Sequence, residues 1–214
     1  MSPPERARPR SALLSRYEDS AAYRELTQAG LQVWQALSQR LGLADGSVEA
    51  TILFTELCDF SSWVLEAGDE LALELLREVA AVVDPIVTAH GGRVVKHLGH
   101  GHMAVFASAA DGVEAALEIL GQVAGVQVRG HHPRLRAGLH CGQPQRMAGD
   151  FLGTDVNVAA RVSEAAREGE VLVSGAVLEA LEDGEREGLE IRRRRGFRAK
   201  GAPRGLEVFS VSRG

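Results

Sequence analysis

The sequence predicts an α+β domain of the ferredoxin-like, split βαβ type, carrying an N-terminal helical extension. Three observations predict it. From about residue 48 the hydrophobic periodicity alternates in the order β-α-β-β-α-β. The second and third strands meet at a tight Gly99-His100-Gly101 turn. Two long amphipathic segments, 69–92 and 108–125, each follow a strand, which predicts an antiparallel sheet with helices on one face.

Residues 1–10 carry three prolines and three arginines and are expected to be a disordered lead rather than a signal peptide, because no apolar segment follows. Residues 11–47 form a helical extension and linker: Leu13, Tyr17, Leu26, Leu31, Trp34, Leu37 and Leu41 recur at helical spacings, and Gly42 to Ser47 read as a linker. The main domain spans 48–214. "EATILFTEL" (49–57) is a short apolar run with β-branched residues and reads as a buried strand. The helix 69–92 stops at Gly91-Gly92. The hairpin 93–106 follows, then the helix 108–125 and a strand-turn-strand over 133–149. The helix 154–169 starts at Thr154 or Asp155 and closes at Gly169. A strand at 170–174, a short helix at 175–184 and late strands at 189–201 and 205–211 complete the chain. In this topology the first strand lies antiparallel beside the third, so Glu56 at its end should meet His100 at the hairpin tip.

The 214 residues are 45% hydrophobic and 25% charged, as in an ordinary soluble domain. A net charge of −5 offers no basic field for nucleic acid. Aromatic residues make up only 5%, which argues against a sheet-face RNA-binding module. Two distant cysteines, Cys58 and Cys141, and no apolar run long enough to span a bilayer point to the cytoplasm, without membrane partners. "RRRR" (192–195) alternates faces in a strand and reads as a solvated edge rather than a basic patch. Taken alone, His97 and His102 read as solvated sheet residues, and His140 as a satisfied core histidine. The Gly-flanked His100 either holds something or replaces a usual occupant.

Five segments in order resemble the catalytic domain of class III adenylyl and guanylyl cyclases. "ILFTELCDFS" resembles the family's LFxDxxGFT opening, and "GGRVVKHLGHGHMAVF" its GGxxxKxxGDGxMAVF hairpin. "LRAGLHCG" resembles xRxGxHxG, "GDFLGTDVNVAARVSEAA" resembles GDxxGxxVNxAARL, and "AKGAPRGLEVFSV" resembles the closing xKGxxxPxxVYxV. The resemblance implies an adenylate cyclase, a phosphorus-oxygen lyase that turns a nucleoside triphosphate into a cyclic monophosphate and pyrophosphate at a homodimer interface. It places the metal ligands at Glu56 and His100, where the family has two aspartates. It places base recognition at Lys96 and Asp150, an adenine-type pair that favours ATP over GTP: the lysine donates to a ring nitrogen and the aspartate accepts from the exocyclic amine. Asn157 and Arg161 correspond to the ribose-orienting and transition-state residues, and Lys200 to the phosphate-holding lysine.

Both metal positions depart from the family. Glu56 keeps the charge with one more methylene, and misplacing a carboxylate by about 1 Å costs on the order of 10²-fold in rate. His100 replaces a hard oxygen with imidazole, which favours Mn²⁺ or another imidazole-tolerant divalent ion over Mg²⁺, or no bound ion. Asp59 stands where the family has glycine, as a replacement ligand or a phosphate-repelling charge. The readings left open are a slow cyclase with altered metal preference, a catalytically silent homologue that binds nucleotide or dimerises as a regulatory module, and a metal- or pH-linked sensor.

Overall fold

A computed structural model describes residues 49–147, 150–199, 201–203 and 205–214. The expected lead (1–10), the helical extension (11–47) and Lys200 lie outside the described residues.

The chain runs through β1 (Ala50–Leu57), α1 (Phe60–Ala67), α2 (Asp69–Ala89), β2 (Arg93–Leu98), β3 (Gly101–Phe106), α3 (Ala109–Val123) and β4 (Leu135–Gly142). There follow β5 (Gln145–Met147), β6 (Asp150–Leu152), α4 (Thr154–Ala165), β7 (Val171–Ser174), α5 (Gly175–Ala180), a 3₁₀ turn (Asp183–Arg186), β8 (Leu189–Arg193) and β9 (Val208–Arg213). Among the described residues the strands form a seven-stranded sheet in the order β2-β3-β1-β4-β7-β9-β8, with β5 and β6 as a separate hairpin. The first four strands of that order are the split βαβ core, paired antiparallel throughout. β7 joins β4 in parallel, making the whole sheet mixed.

β1 is central, and Ile52 and Leu53 are almost fully buried on opposite sides of it. Burial on both faces explains its unbroken apolar run. Two glycines show what covers each face. A Cβ on Gly138 of β4 would lie 2.1 Å from the Ser163 backbone nitrogen, so α4 sits directly on that face. A Cβ on Gly112 of α3 would lie 3.0 Å from Thr51 Cγ2 and 3.3 Å from Leu139 Cδ2, on the other face. The two core helices α2 and α3 therefore share a face, as expected, and α4 covers the opposite one. Helices confined to one face is thus corrected: Ile52, Met103 and Phe151 leave an apolar surface there that α4 buries through Ala159.

Several elements differ from expectation. α1 was not anticipated. Its N-cap residue Asp59 sits at φ 53°, left-handed backbone where glycine is favoured, and makes no side-chain cap bond. β8 ends at Arg193 rather than running to 201, because the chain turns at Gly196 with φ 73°. Arg192 and Arg193 of the arginine run lie on this edge strand, held by Glu190 and Glu207, and Arg194 just past its end is held by Glu170. The solvated reading of His102 is corrected. It is 5% exposed, because β3 is an interior strand and position 102 faces α2.

Candidate functional site

The hairpin tip is built by two glycines with different duties. Gly99 takes φ 62°, which turns the chain. A Cβ on Gly101 would lie 2.3 Å from the Thr55 carbonyl oxygen, so only glycine lets the tip press against β1. The register then pairs Glu56 with Gly101, and the Leu57 amide donates to the His100 carbonyl at 3.1 Å. As a result His100 Nε2 stands 3.1 Å from Glu56 Oε1. The imidazole stacks on buried Phe60 of α1, ring centroids 5.3 Å apart and 13° from parallel, which fixes its plane.

Glu56 has a further partner that sequence reasoning missed. Arg136 on β4 lies opposite it in register, donates from Nε to Oε2 at 2.9 Å, and holds the same oxygen with its second terminal nitrogen. Burial pushes the Glu56 carboxyl up. The hydrogen bonds from His100 and Arg136, with the arginine's charge, outweigh burial and bring it from 4.5 down to about 2. Glu56 is therefore ionised at neutral pH. The signal for Arg136 was present in "LRAGLH", but its meaning depends on the β1–β4 register.

A cavity of about 540 Å³ opens beside this pair, lined by Glu56, Asp59, Ser61, His100, Arg136 and Arg167 among others. One carboxylate oxygen and one imidazole nitrogen 3.1 Å apart suit a single imidazole-tolerant divalent ion. They do not suit a pair of Mg²⁺ ions, which need several hard oxygens, because the second oxygen of Glu56 is taken by a guanidinium.

Lys96 and Asp150 come together from distant segments. Lys96 Nζ donates to Asp150 Oδ2 at 2.7 Å and Oδ1 at 2.9 Å. A β-bulge between Val94 and Lys96 resets the strand so that Lys96 aligns with Met103. Asp150 is anchored by the next residue, Phe151, buried among Ile52, Met103 and Ala159, whose amide donates back to Asp150 Oδ1 at 2.7 Å. Asn157 and Arg161 lie one turn apart on α4. Arg161 donates from one nitrogen to both Glu164 oxygens at 2.6 Å, while the Glu164 carbonyl accepts from Arg136 at 3.0 Å. Glu164 thus links α4 to the Glu56 cradle. His140 fills the core role expected of it, 8% exposed, 2.8 Å from Ser174 Oγ and 3.4 Å from Asp155. Among the described residues no hydrogen bond joins the Glu56–His100 pair to the Lys96–Asp150 pair.

Residues 44–212 match the family model described as the adenylate and guanylate cyclase catalytic domain. The chain belongs to this family. It is 33% identical over 178 residues to a pH-sensitive adenylate cyclase of Mycobacterium tuberculosis, a match covering 79% of this chain and 42% of that protein. It is 32% identical over 143 residues to an uncharacterised protein of the same organism, covering 67% of this chain and 37% of the other. The chain therefore spans well under half the length of these relatives. In fold it is similar to the catalytic core of a rhodopsin-guanylyl cyclase with converted specificity, solved with ATPαS (TM-score 0.72, 18% identity, 79% of this chain and 98% of that one). It is also similar to the adenylyl cyclase CyaB of P. aeruginosa (TM-score 0.66, 19% identity, 78% and 94%). Among the described residues no helix is long and apolar enough to cross a membrane.

Proposed function

We propose that this cyclase domain binds ATP at a homodimer interface and forms cyclic AMP and pyrophosphate, slowly and with a preference for Mn²⁺ or a similar ion over Mg²⁺. The Lys96–Asp150 pair is the observation that carries the adenine assignment: a donor and an acceptor, 2.7 Å apart, brought together across 54 residues of sequence. Lys96 donates to ring nitrogen N1 of adenine and Asp150 accepts from the 6-amino group; at the same two positions guanine presents an N–H and a carbonyl, the reverse pattern. Asn157 orients the ribose. Arg161 leaves Glu164 to neutralise the charge that develops on the α-phosphate. The 3′-hydroxyl passes its proton to solvent water, its oxygen bonds to the α-phosphorus in line, and the bond from that phosphorus to the bridging oxygen breaks, its electron pair leaving with pyrophosphate. Glu56 and His100 would hold one divalent ion, which when bound supplies Lewis-acid stabilisation of the attacking and phosphoryl oxygens. Lys200 is assigned the terminal phosphates on the resemblance alone.

A second reading, nucleotide binding without turnover, is favoured by one specific observation. The Arg136 guanidinium already holds one Glu56 oxygen and His100 Nε2 stands 3.1 Å from the other, so an incoming cation must compete with a guanidinium. The full chain, assayed with ATP and with GTP under Mg²⁺ and under Mn²⁺, separates the two. Cyclic AMP from ATP with Mn²⁺, and little with Mg²⁺ or from GTP, supports the first. Saturable ATP binding with no cyclic product under either ion establishes the second. No ATP binding at all refutes both.

A further inference from the structure

We propose a second, separate metal site, for Zn²⁺ or a similar borderline ion, formed by Asp84, His97 and His102. It lies on the sheet face opposite the one that α4 covers, and nothing in the cyclase reading requires it.

The three residues come from three elements. Asp84 lies in the last two turns of α2, and His97 and His102 are direct cross-strand partners on β2 and β3. Cross-strand partners project to the same side of a hairpin, so the two imidazoles stand together under α2. Their rings meet edge to face with centroids 4.8 Å apart, and His97 Nε2 is 3.3 Å from Asp84 Oδ1. One donor atom from each of the three residues falls within 4.8 Å of the others.

Tetrahedral Zn²⁺ binds imidazole nitrogen and carboxylate oxygen at about 2.0–2.1 Å, which places neighbouring ligand atoms about 3.3 Å apart. The Asp84–His97 pair is already at that separation. Closing the rest needs a movement of about 1.5 Å, within reach of a side-chain rotation at half-exposed His97 and Asp84. Buried His102 is the fixed member. Its Nδ1 lies 3.4 Å from Thr55 Oγ1. With Nδ1–H donating to that hydroxyl, the lone pair falls on Nε2, the outer-shell arrangement that orients ligating histidines. Two imidazoles and one carboxylate leave a fourth position open to water, and the donor set suits Zn²⁺ better than Mg²⁺ or Ca²⁺.

Such an ion would tie α2 to the hairpin that carries Lys96 and His100. The test uses the full chain stripped of metal with a chelator. Zn²⁺ is added against a chromogenic indicator, and Co²⁺ is added as a spectroscopic substitute. The wild type should bind one Zn²⁺ at this site, gain thermal stability, and show Co²⁺ absorption bands of a nitrogen- and oxygen-ligated site. The surface double variant Asp84→Asn, His97→Gln should fold normally and keep the wild-type ATP affinity. It should bind Zn²⁺ at least about 100-fold more weakly, since even outer-shell changes cost 10–100-fold. His100→Gln should retain this Zn²⁺ binding. Equal Zn²⁺ affinity in the wild type and the double variant overturns the proposal. So does loss of the bound ion in His100→Gln, which would put it in the cleft, and so does the absence of Zn²⁺ binding in the wild type.

Discussion

Glu56→Gln tests the electrostatics of the cradle. The glutamine keeps the shape and removes the charge, leaving Arg136, itself 27% exposed, without its counter-ion. A carboxyl lowered from 4.5 to about 2 corresponds to about 3 kcal/mol of native stability, at 1.36 kcal/mol per pH unit. The Glu56 side chain is 31% exposed, so solvent screening reduces this to about 1.5–2 kcal/mol. For a domain of this size that is a fall in Tm of about 4–7 °C. The sign with pH is definite. A depressed carboxyl stabilises fully above its unfolded value and loses that contribution as pH falls from 4.5 towards 2. Urea unfolding of the wild type and Glu56→Gln at pH 7 and again at pH 3.5 reads it directly. The gap should be about 1.5–2 kcal/mol at pH 7 and clearly smaller at pH 3.5. Equal stabilities at pH 7, or a gap that does not narrow in acid, would show that His100 and Arg136 do not hold this carboxylate.

Other consequences are as concrete. Lys96→Ala should weaken ATP binding by about 10- to 150-fold in calorimetry, the worth of one charge-assisted hydrogen bond of about 1.5–3 kcal/mol. Because the Lys96–Asp150 pair is about one-third exposed, the same change should barely alter stability. Unchanged ATP affinity would remove the base-pocket assignment. Gly138→Ala forces a methyl against the α4 backbone and should destabilise by about 1–3 kcal/mol or more in denaturant unfolding, whereas a neutral result would contradict the α4 packing. Burial holds the His140 imidazole below its usual value, despite the opposing pull of Asp155. Stability should therefore fall as pH drops below about 6.5, where the unfolded chain takes up a proton that the folded one resists, and His140→Gln should flatten that part of the profile.

The core topology was legible because it rests on local signals: the apolar run of β1, amphipathic spacing in α2 and α3, and glycines at the hairpin tip. From topology alone, Glu56 and His100 had to be neighbours, and they are, at 3.1 Å. What escaped depended on a third strand or on helix phase. Arg136 is visible in the sequence as the arginine of the xRxGxHxG resemblance, but its partnership with Glu56 is set only by the β1–β4 register. α1 starts from an aspartate in left-handed backbone, with no capping bond to announce it. His102 looked exposed because an alternating strand does not say which face a helix will cover. The partnership of Asp84 with His97 is likewise set by how α2 lies on the sheet.

On the proposed function, residues 56 and 100 form a re-liganded cation cradle serving an adenine nucleotide. The most direct measurement of that claim is the rate of Mg²⁺-supported cyclic AMP formation by the double variant Glu56→Asp, His100→Asp beside the wild type. Restoring two hard carboxylates should raise that rate at least about tenfold and diminish the advantage of Mn²⁺. A double variant that is folded and dimeric, binds ATP as the wild type does, and remains as slow with Mg²⁺ would contradict the claim.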